Sequence, residues 1–572
     1  MADNLFNLLS EDAYNEHMSK VEALLSAIAM GSAGAEYTDN MFVSLLDGMN
    51  TTSVFWEWWP LSATSSSSKY DRLCRWGSIL ARAWKAKTYT LRSVRPEKSG
   101  GVSTMTPLDD LAGKTAAQLC TESTTPVTDW GDEDPMVWYI RANALSLADG
   151  TMNVLFIEGE DGFDISGSSA PVYSFSLALW MKEWSDDNYD YISYRTQGGD
   201  GYYPDIADVS PKNVKRPITW HPCFPGGLTS SGALTSGAGL KPYNLASAES
   251  GIAAARKMSA YEGLWNDCDT RWALRMWQLR HFDLENSNIC EGCVSYTAQY
   301  KVARVESGVS RVLLTKAQAA EFLVGSTVSV GDPGTNTNYD RGQSYMRNIA
   351  EAVTISSIED VTVGGTAYTA LNLTGAGTFN VTATSYVSTW PYISGHTECL
   401  PGHKDGCGYS LTAGKTPIRV MGVELLDGAY SIGLDPLYQV TAGSDSSHWN
   451  YTVYECRDSV NLSGSVTSNY KATGITGTNI SQGWNYVKSF ISTKLSVLFP
   501  ALLGGSTSTY YKSGFLGSWG AGVRCPWRFG GLNDRGSAGL ACEYGGVSPS
   551  LAYWYGRPRL SGAGKKRGEW AA

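Results

Sequence analysis

Apolar residues recur at helical spacing near the start of the chain, alternate with polar ones through its middle, and lose all period near its end. Over residues 4–29 they are Leu5, Leu8, Leu9, Met18, Val21, Leu24, Leu25 and Ile28, the spacing of an amphipathic helix in two pieces. Ser10, followed by Glu11 and Asp12, suits the cap of the second piece. Heptads are not sustained long enough for a coiled coil. Oligomerisation, docking and packing on its own domain all remain open for this helix. A Gly/Ser/Ala break at 31–35 leads into a mixed stretch with the aromatic run at 55–59, a serine run at 65–68 and a helical pattern over 70–85.

From 134 to 196 the period becomes that of strands: MVWYIRANAL, MNVLFIEG, YSFSLALWMKEW and YDYISYRT, separated by Asp-Gly, Gly-Ser and Asp-Asp-Asn turns. An antiparallel β domain is expected here. Residues 217–243, rich in Gly, Ser and Pro, read as an irregular connection. Helical patterns return over 252–258 and 261–284, where Trp265, Trp272, Leu274, Trp277, Leu279 and Phe282 form a core stripe. Residues 296–390 are a series of short Val- and Thr-rich segments with one helix-like stretch, LTKAQAAEFL. Such a self-contained series predicts a small β-barrel inserted within a larger domain. The host pattern resumes with IRVMGVELLDGAYSIGL, WNYTVYEC and a helix-like VKSFISTKLSVLF.

The last sixty residues differ from all of this. Glycine-framed runs bracket short aperiodic segments that hold Asn, Asp, Arg, Glu, three Tyr and Trp554. A core strand would alternate or be uniformly apolar. Loops with aromatics, amides and charges held between glycines suit a recognition surface, since Tyr and Trp give large contact area at small entropic cost. Tyr553, Trp554 and Tyr555 cannot all face one core if extended, because successive side chains point oppositely.

Composition narrows the picture. A chain of 572 residues is expected to hold about two to four domains. The 61 Gly, 20 Trp and 32 Tyr favour a turn-rich β architecture. A net charge of −10 argues against nucleic acid, whose phosphates need clustered Lys and Arg. Lys565, Lys566 and Arg567 are too few to change that and read as a solvated tail. The acidic N-terminus lacks a signal-peptide pattern. No apolar run approaches the roughly eighteen residues of a membrane span. Eleven scattered cysteines make a poor disulfide framework and suit synthesis in a reducing cytoplasm.

Candidate chemistry is sparse. Cys290 and Cys293 form a Cys-x-x-Cys knuckle, with His396, Cys399, His403 and Cys407 about a hundred residues on. These residues suit a structural zinc that staples the insert, free cysteines, or a Cys399–Cys407 bridge. Six histidines include none in a nucleophile-and-base arrangement, and no phosphate-binding loop or nucleophile elbow occurs. Glu158, Glu160 and Asp161 read as a solvated turn, a calcium loop or a glycosidase pair.

One stretch carries a resemblance. Gly530-Gly531, Gly536-Ser537-Ala538-Gly539-Leu540, Pro549-Ser550 and Gly556-Arg557-Pro558-Arg559-Leu560 stand in order, separated by aperiodic runs. This terminus resembles the variable region of diversity-generating-retroelement target proteins, a group that includes phage tropism determinants. The resemblance covers about the last forty residues before the tail. It implies a C-type-lectin-like (formylglycine-generating-enzyme-like) scaffold, a homotrimer on a phage tail, and non-covalent binding of a bacterial surface receptor, with no enzyme activity and no cofactor. It also implies scaffold roles for Trp519, Trp527, Gly530, Gly531, Gly539, Leu540, Gly556, Arg557 and Leu560. The ligand-facing set becomes Leu532, Asn533, Asp534, Arg535, Cys542, Glu543, Tyr544, Gly545, Val547, Ser548, Leu551, Ala552, Tyr553, Trp554 and Tyr555. Cys525 and Cys542 lack the context of the copper-binding pair of the oxidase branch.

The expected architecture is α+β, β-rich and multidomain. It comprises an N-terminal helical segment (1–35), an antiparallel β domain (36–216), and a C-type-lectin-like domain (217–295 and 396–572, variable region about 517–561) interrupted by a small β-barrel (296–395). The expected partners are a bacterial receptor, protein or glycan, and other virion tail proteins, with no nucleic acid and no membrane insertion. A tail-associated glycan hydrolase and a purely structural virion protein are the competing readings.

Overall fold

The computed structural model describes residues 86–568, apart from 99, 125–129, 131–133, 135, 212, 214, 217, 402–403, 492–493, 495–496 and 563–565. The expected helices at 4–29 and 70–85, the aromatic run at 55–59 and the serine run at 65–68 lie outside the described residues. The described chain is β-rich, with several sheets, one of them near-closed and barrel-like, and few helices. None of its helices is long and apolar enough to cross a membrane.

Two antiparallel sheets come first. One orders Thr106–Asp109, Thr88–Val94, Tyr189–Arg195, Trp180–Ser185 and Tyr203–Pro204; the other orders Met152–Ile157, Ile140–Ser146, Val172–Leu177 and Ile218–Pro222. The stretch YSFSLALWMKEW, expected as one strand, is two strands in different sheets. Val172–Leu177 is buried on both faces, whereas Trp180–Ser185 buries Met181 and leaves its other positions partly exposed. Ile218–Pro222 lies beyond the expected boundary at 216. Its pairing, from Tyr173 opposite Pro222 to Leu177 opposite Ile218, carries one sheet across that boundary.

Two helices follow. Ala248–Met258 (α1) starts on Ser247, whose hydroxyl accepts from Ser250 N. Asp267–His281 (α2) opens with a capping box between Asn266 and Asp269 and ends at Phe282 in the left-handed region. It is shorter than the 261–284 pattern because Trp265 N donates to Arg559 O at 2.8 Å, not to a helical carbonyl. Nearly every α2 side chain is buried, charged ones included. Buried charges are tolerated when paired and hydrogen-bonded, and these are. Arg271 and Arg275 meet Glu183 at 3.1 and 2.9 Å, and Arg280 meets Asp405. Asp267 meets Arg528 at 2.5 Å, and Asp269 takes His221 and Ser561, both at 2.8 Å.

Residues 299–389 supply a six-stranded sheet ordered Gln299–Lys301, Tyr386–Thr389, Thr327–Gly331, Ala350–Val363, Thr366–Thr374 and Arg311–Leu314. Its own core includes Val312, Val328, Ile355, Leu371 and Val387. The long hairpin turns on Gly364 and Gly365, at φ 59° and 80°, the conformation a two-residue turn demands. LTKAQAAEFL yields only the four-residue helix Lys316–Ala319 (α3).

The largest sheet is mixed. Its strands run Tyr470–Ser481, His448–Cys456, Leu437–Ala442, Gly522–Arg528, Glu543–Val547, Gly514–Gly517, Gly483–Phe490 and Pro500–Leu503, with Tyr430–Ile432 and Gly556–Pro558 attached. The segment VKSFISTKLSVLF was expected to be helical, but its start belongs to the strand Gly483–Phe490. Pairing with Pro500–Leu503, from Val487 opposite Leu503 to Phe490 opposite Pro500, overrides the helical period: Val487 is buried while Tyr486 and Lys488 are half-exposed. The expected solvated tail is also corrected at Lys566 and Arg567, while Lys565 lies outside the described residues. Lys566 bridges to Asp458, and Arg567 is buried against Asp435 and Glu455 at 3.0 and 3.2 Å.

Glu424, on the strand Val423–Leu425, ties down the chain returning from the insert. It accepts from Gly395 N at 3.0 Å, Thr397 N at 2.8 Å and Thr397 Oγ1 at 2.9 Å. Burial pushes its carboxyl from 4.5 up to about 7. Between those values the folded protein keeps a proton that the unfolded chain has lost. The stabilisation is therefore full below the unfolded value and lost as pH rises through the folded one, by up to about 3 kcal/mol. Thermal midpoints should fall between pH 5 and pH 8, and fall less steeply in Glu424→Gln. Equal slopes in the two proteins would refute the assignment.

Candidate recognition surface

The terminal strands are fixed before any loop is considered. Arg528 is buried and donates to Glu543 Oε2 at 2.6 Å, Asp267 Oδ1 at 2.5 Å and Leu498 O at 3.1 Å. Arg557 donates to Gly226 O at 2.5 Å, Tyr392 O at 2.9 Å and Asp427 at 2.5 Å. Arg559 reaches Glu424 O and Pro222 O, with its guanidinium 4.5 Å from the Trp265 ring centre. Trp527, Leu540 and Leu560 are wholly buried. Gly530 has φ 101°, and a Cβ there would lie 2.4 Å from Ala538 Cβ. A Cβ on Gly556 would strike the Trp527 ring at 2.5 Å. The turn at Gly530 therefore requires glycine for its backbone conformation, and the strand start at Gly556 requires it for the close approach of the Trp527 ring.

Six of the fifteen expected ligand-facing residues are buried in this frame. Glu543 belongs to the Arg528 ion network, and burial pushes its carboxyl up to about 7. Cys542 and Val547 lie in the core around Trp527. A Cβ on Gly545 would meet the Phe515 ring at 2.6 Å. Leu532 and Trp554 fill the junction with the insert, among Cys293, Tyr296, Ala352, Trp390 and Tyr392. Trp554 stacks on Trp390 at 5.7 Å, with Arg341 5.1 Å from its own ring centre. In this conformation Leu532, Cys542, Glu543, Gly545, Val547 and Trp554 offer no side-chain surface to a ligand. Aperiodicity had suggested loops for them all, but Glu543 to Val547 is a paired strand.

The remaining nine lie at or near the surface. Asn533, Arg535, Leu551 and Ala552 are exposed; Asp534, Tyr544, Ser548, Tyr553 and Tyr555 are half-buried. Two loops converge at Gly531, where a Cβ would lie 3.3 Å from Asn533 Oδ1 and 3.4 Å from Tyr555 Cβ. Asp534 accepts from Gly531 N at 2.6 Å and is hydrogen-bonded to Tyr430; burial raises its carboxyl. Beyond it Gly536 and Ser537 turn toward Thr507 and Tyr486, carrying the chain away from this point.

The aromatics form one connected set. Tyr553 and Tyr555 lie 4.4 Å apart, Tyr555 lies 5.8 Å from Tyr430, and Tyr544 lies 6.1 Å from Tyr430. Trp519, expected in the scaffold, is 54% exposed and meets Tyr544 edge-on at 6.0 Å. Sequence reasoning missed it because its flanking glycines resemble those of the frame. Arg524 braces the turn that presents it, donating to Ser518 Oγ, Gly520 O and Ala521 O. The backbone at 553–555 is held by Leu245 N, Asn244 Nδ2 and Tyr430 N, each donating to one of its three carbonyls. The insert takes part as well: Asp340 accepts from the Tyr553 hydroxyl at 2.8 Å. Preset rings need little ordering on contact, which favours binding.

The other candidates resolve differently. Cys290 is hydrogen-bonded to Cys407, whose thiol is drawn down to about 7, whereas Cys293 lies against Gly428 and both His396 and Cys399 lie against Gly408. Among the described residues no group of three or more His, Cys, Asp or Glu is placed to hold a metal; His403 lies outside them. Burial pushes the thiol of Cys525 up to about 12 and raises that of Cys542. Glu158 pairs with Arg141, which also holds Glu398 at 2.6 Å, and Glu160 accepts from Ile157 N at 2.8 Å.

No protein-family model matches the chain, and no curated protein matches it.

Frame and surface should separate on substitution. Trp554→Ala is expected to cost about 3–5 kcal/mol, as a cavity among packed rings does. Leu551→Ala, at an exposed position, should stay within about 0.5 kcal/mol. Urea midpoints of the two variants check this, and equal shifts would contradict the division.

Proposed function

We propose that this chain is a receptor-binding protein of a bacteriophage tail, with a C-type-lectin-like C-terminal domain that binds a bacterial surface receptor non-covalently. The observation that carries this reading is the split within one short stretch. The arginines that staple the terminal strands, Arg528, Arg557 and Arg559, are buried, while Trp519, Tyr544, Tyr553 and Tyr555 stand exposed or half-buried around the buried ring of Tyr430 that links them. A frame fastened by its own buried side chains tolerates change at its rim, which is what a receptor surface under selection needs. The ligand-facing set is Trp519, Asn533, Tyr544, Ser548, Leu551, Ala552, Tyr553 and Tyr555, with Asp340 of the insert at its edge. Assembly as a homotrimer in the virion would turn modest single-site affinity into firm attachment through avidity.

Purified chain labelled for fluorescence and added to susceptible bacteria tests the proposal. Tyr544→Ala and Tyr555→Ala should each weaken cell binding by about tenfold or more, as truncation at a binding hot spot does, while the far-ultraviolet spectrum is unchanged. Undiminished binding would overturn the assignment of this surface. Virions that fail to assemble with these variants would instead support a structural role for the terminus.

A further inference from the structure

The antiparallel strands Thr327–Gly331 and Ala350–Val363 of the insert are joined through residues 332–349, with one short 3-10 turn at Ser344–Met346. Paired neighbours of this kind are usually joined by about two to five residues, and a much longer loop is commonly a binding element. Residues 334–339, all exposed, read Gly-Thr-Asn-Thr-Asn-Tyr. None of their side chains is charged. Gly, Asn and Tyr are also the residues that binding loops favour, since they combine ring contact area with adaptable hydrogen bonds.

Exposure here does not come with freedom. Asp332 accepts from Gly334 N at 2.9 Å and takes the hydroxyls of Thr382 and Thr384, both at 2.6 Å. Gln299 donates to Tyr339 O and the Tyr345 hydroxyl to Asn338 O, both at 2.9 Å. Tyr339 is 44% exposed, and its ring lies 5.1 Å from that of Tyr386. Tyr386 precedes the core residue Val387 in its strand and so stands on the outer face of the insert. The residues that follow Tyr339 reach the rim of the terminal segment. Asp340 accepts from the Tyr553 hydroxyl at 2.8 Å, and Arg341 lies 5.1 Å from the Trp554 ring centre. Tyr339 therefore stands one Cα step, about 3.8 Å, from the residue that touches Tyr553. A pinned loop beside pinned rings adds contact area with little further ordering cost.

We propose that the loop centred on Tyr339 is a second contact segment for the same bacterial receptor, and that it meets an uncharged, hydrogen-bonding part of it. The proposal rests on the receptor-binding role of the terminal rim. Fluorescently labelled full chain titrated onto susceptible bacteria tests the two and separates them. Tyr339→Ala should weaken cell binding by about tenfold, as loss of a hot-spot tyrosine does. Thr337→Arg, which removes no hydrogen bond found among the described residues, should weaken it to a similar extent by crowding the contact. Thr366→Arg, at the far end of the hairpin and roughly 40 Å along the strand, should change nothing. Lys301→Ala, which removes the charge opposite Tyr386 in register, should also change nothing, because the contact is uncharged. Binding lost in Tyr555→Ala but intact in Tyr339→Ala or Thr337→Arg overturns this proposal and leaves the role of the rim standing. Binding intact in both Tyr544→Ala and Tyr555→Ala overturns the role of the rim and this proposal with it. A loss in Thr366→Arg or Lys301→Ala equal to that in Tyr339→Ala overturns it as well.

Discussion

The architecture depends on a helix that is charged and yet buried. α2 carries Asp267, Asp269, Arg271, Arg275 and Arg280 into the interior, where an unpaired charge would cost several kcal/mol. Each partner comes from a different part of the chain. Glu183 belongs to the N-terminal sheet, His221 to the four-stranded sheet, Asp405 to the segment after the insert, and Arg528 and Ser561 to the terminus. Hydrophobic packing alone tolerates sliding, because apolar contact is non-directional. Ion pairs at hydrogen-bonding distance do not. The helix therefore fixes where the sheets stand relative to one another.

The same device recurs at the end of the chain. Arg528, Arg557, Arg559 and Arg567 reach inward, and most of what they meet is backbone carbonyl or carboxylate far away in sequence. A planar guanidinium can satisfy several acceptors at once, which lysine cannot do in the same geometry. The terminal strands are thereby held by chemistry that faces away from solvent. The rim above them is left to rings whose backbone is already pinned.

The insert is more than a passenger on this frame. Its core is its own, but its roots share a second core with Leu532 and Trp554, and its loop meets Tyr553 through Asp340. Leu532 and Trp554 are thus packed where the insert meets the terminal strands. Without the insert Trp554 would lose its stacking on Trp390, and the Tyr553 hydroxyl its acceptor on Asp340.

Much of this was legible in the amino-acid order. Strand-like runs located the N-terminal strands from 134 onward, and Val- and Thr-rich segments located those of the insert. The Gly364-Gly365 turn follows from steric rules that act within a few residues. VKSFISTKLSVLF failed because pairing of its start with the strand Pro500–Leu503 outweighs local period. Within the terminus, sequence marked the glycine frame but could not divide what lay between. Glu543 and Trp554 look like surface residues until Arg528 and Trp390 are placed beside them. Trp519 looks like frame until the turn braced by Arg524 is seen to carry it outward. Local periodicity and turn sterics are determined by neighbours along the chain. Burial of a charge or a ring is determined by partners as many as 261 positions away, as between Asp267 and Arg528, and only the tertiary structure brings those together.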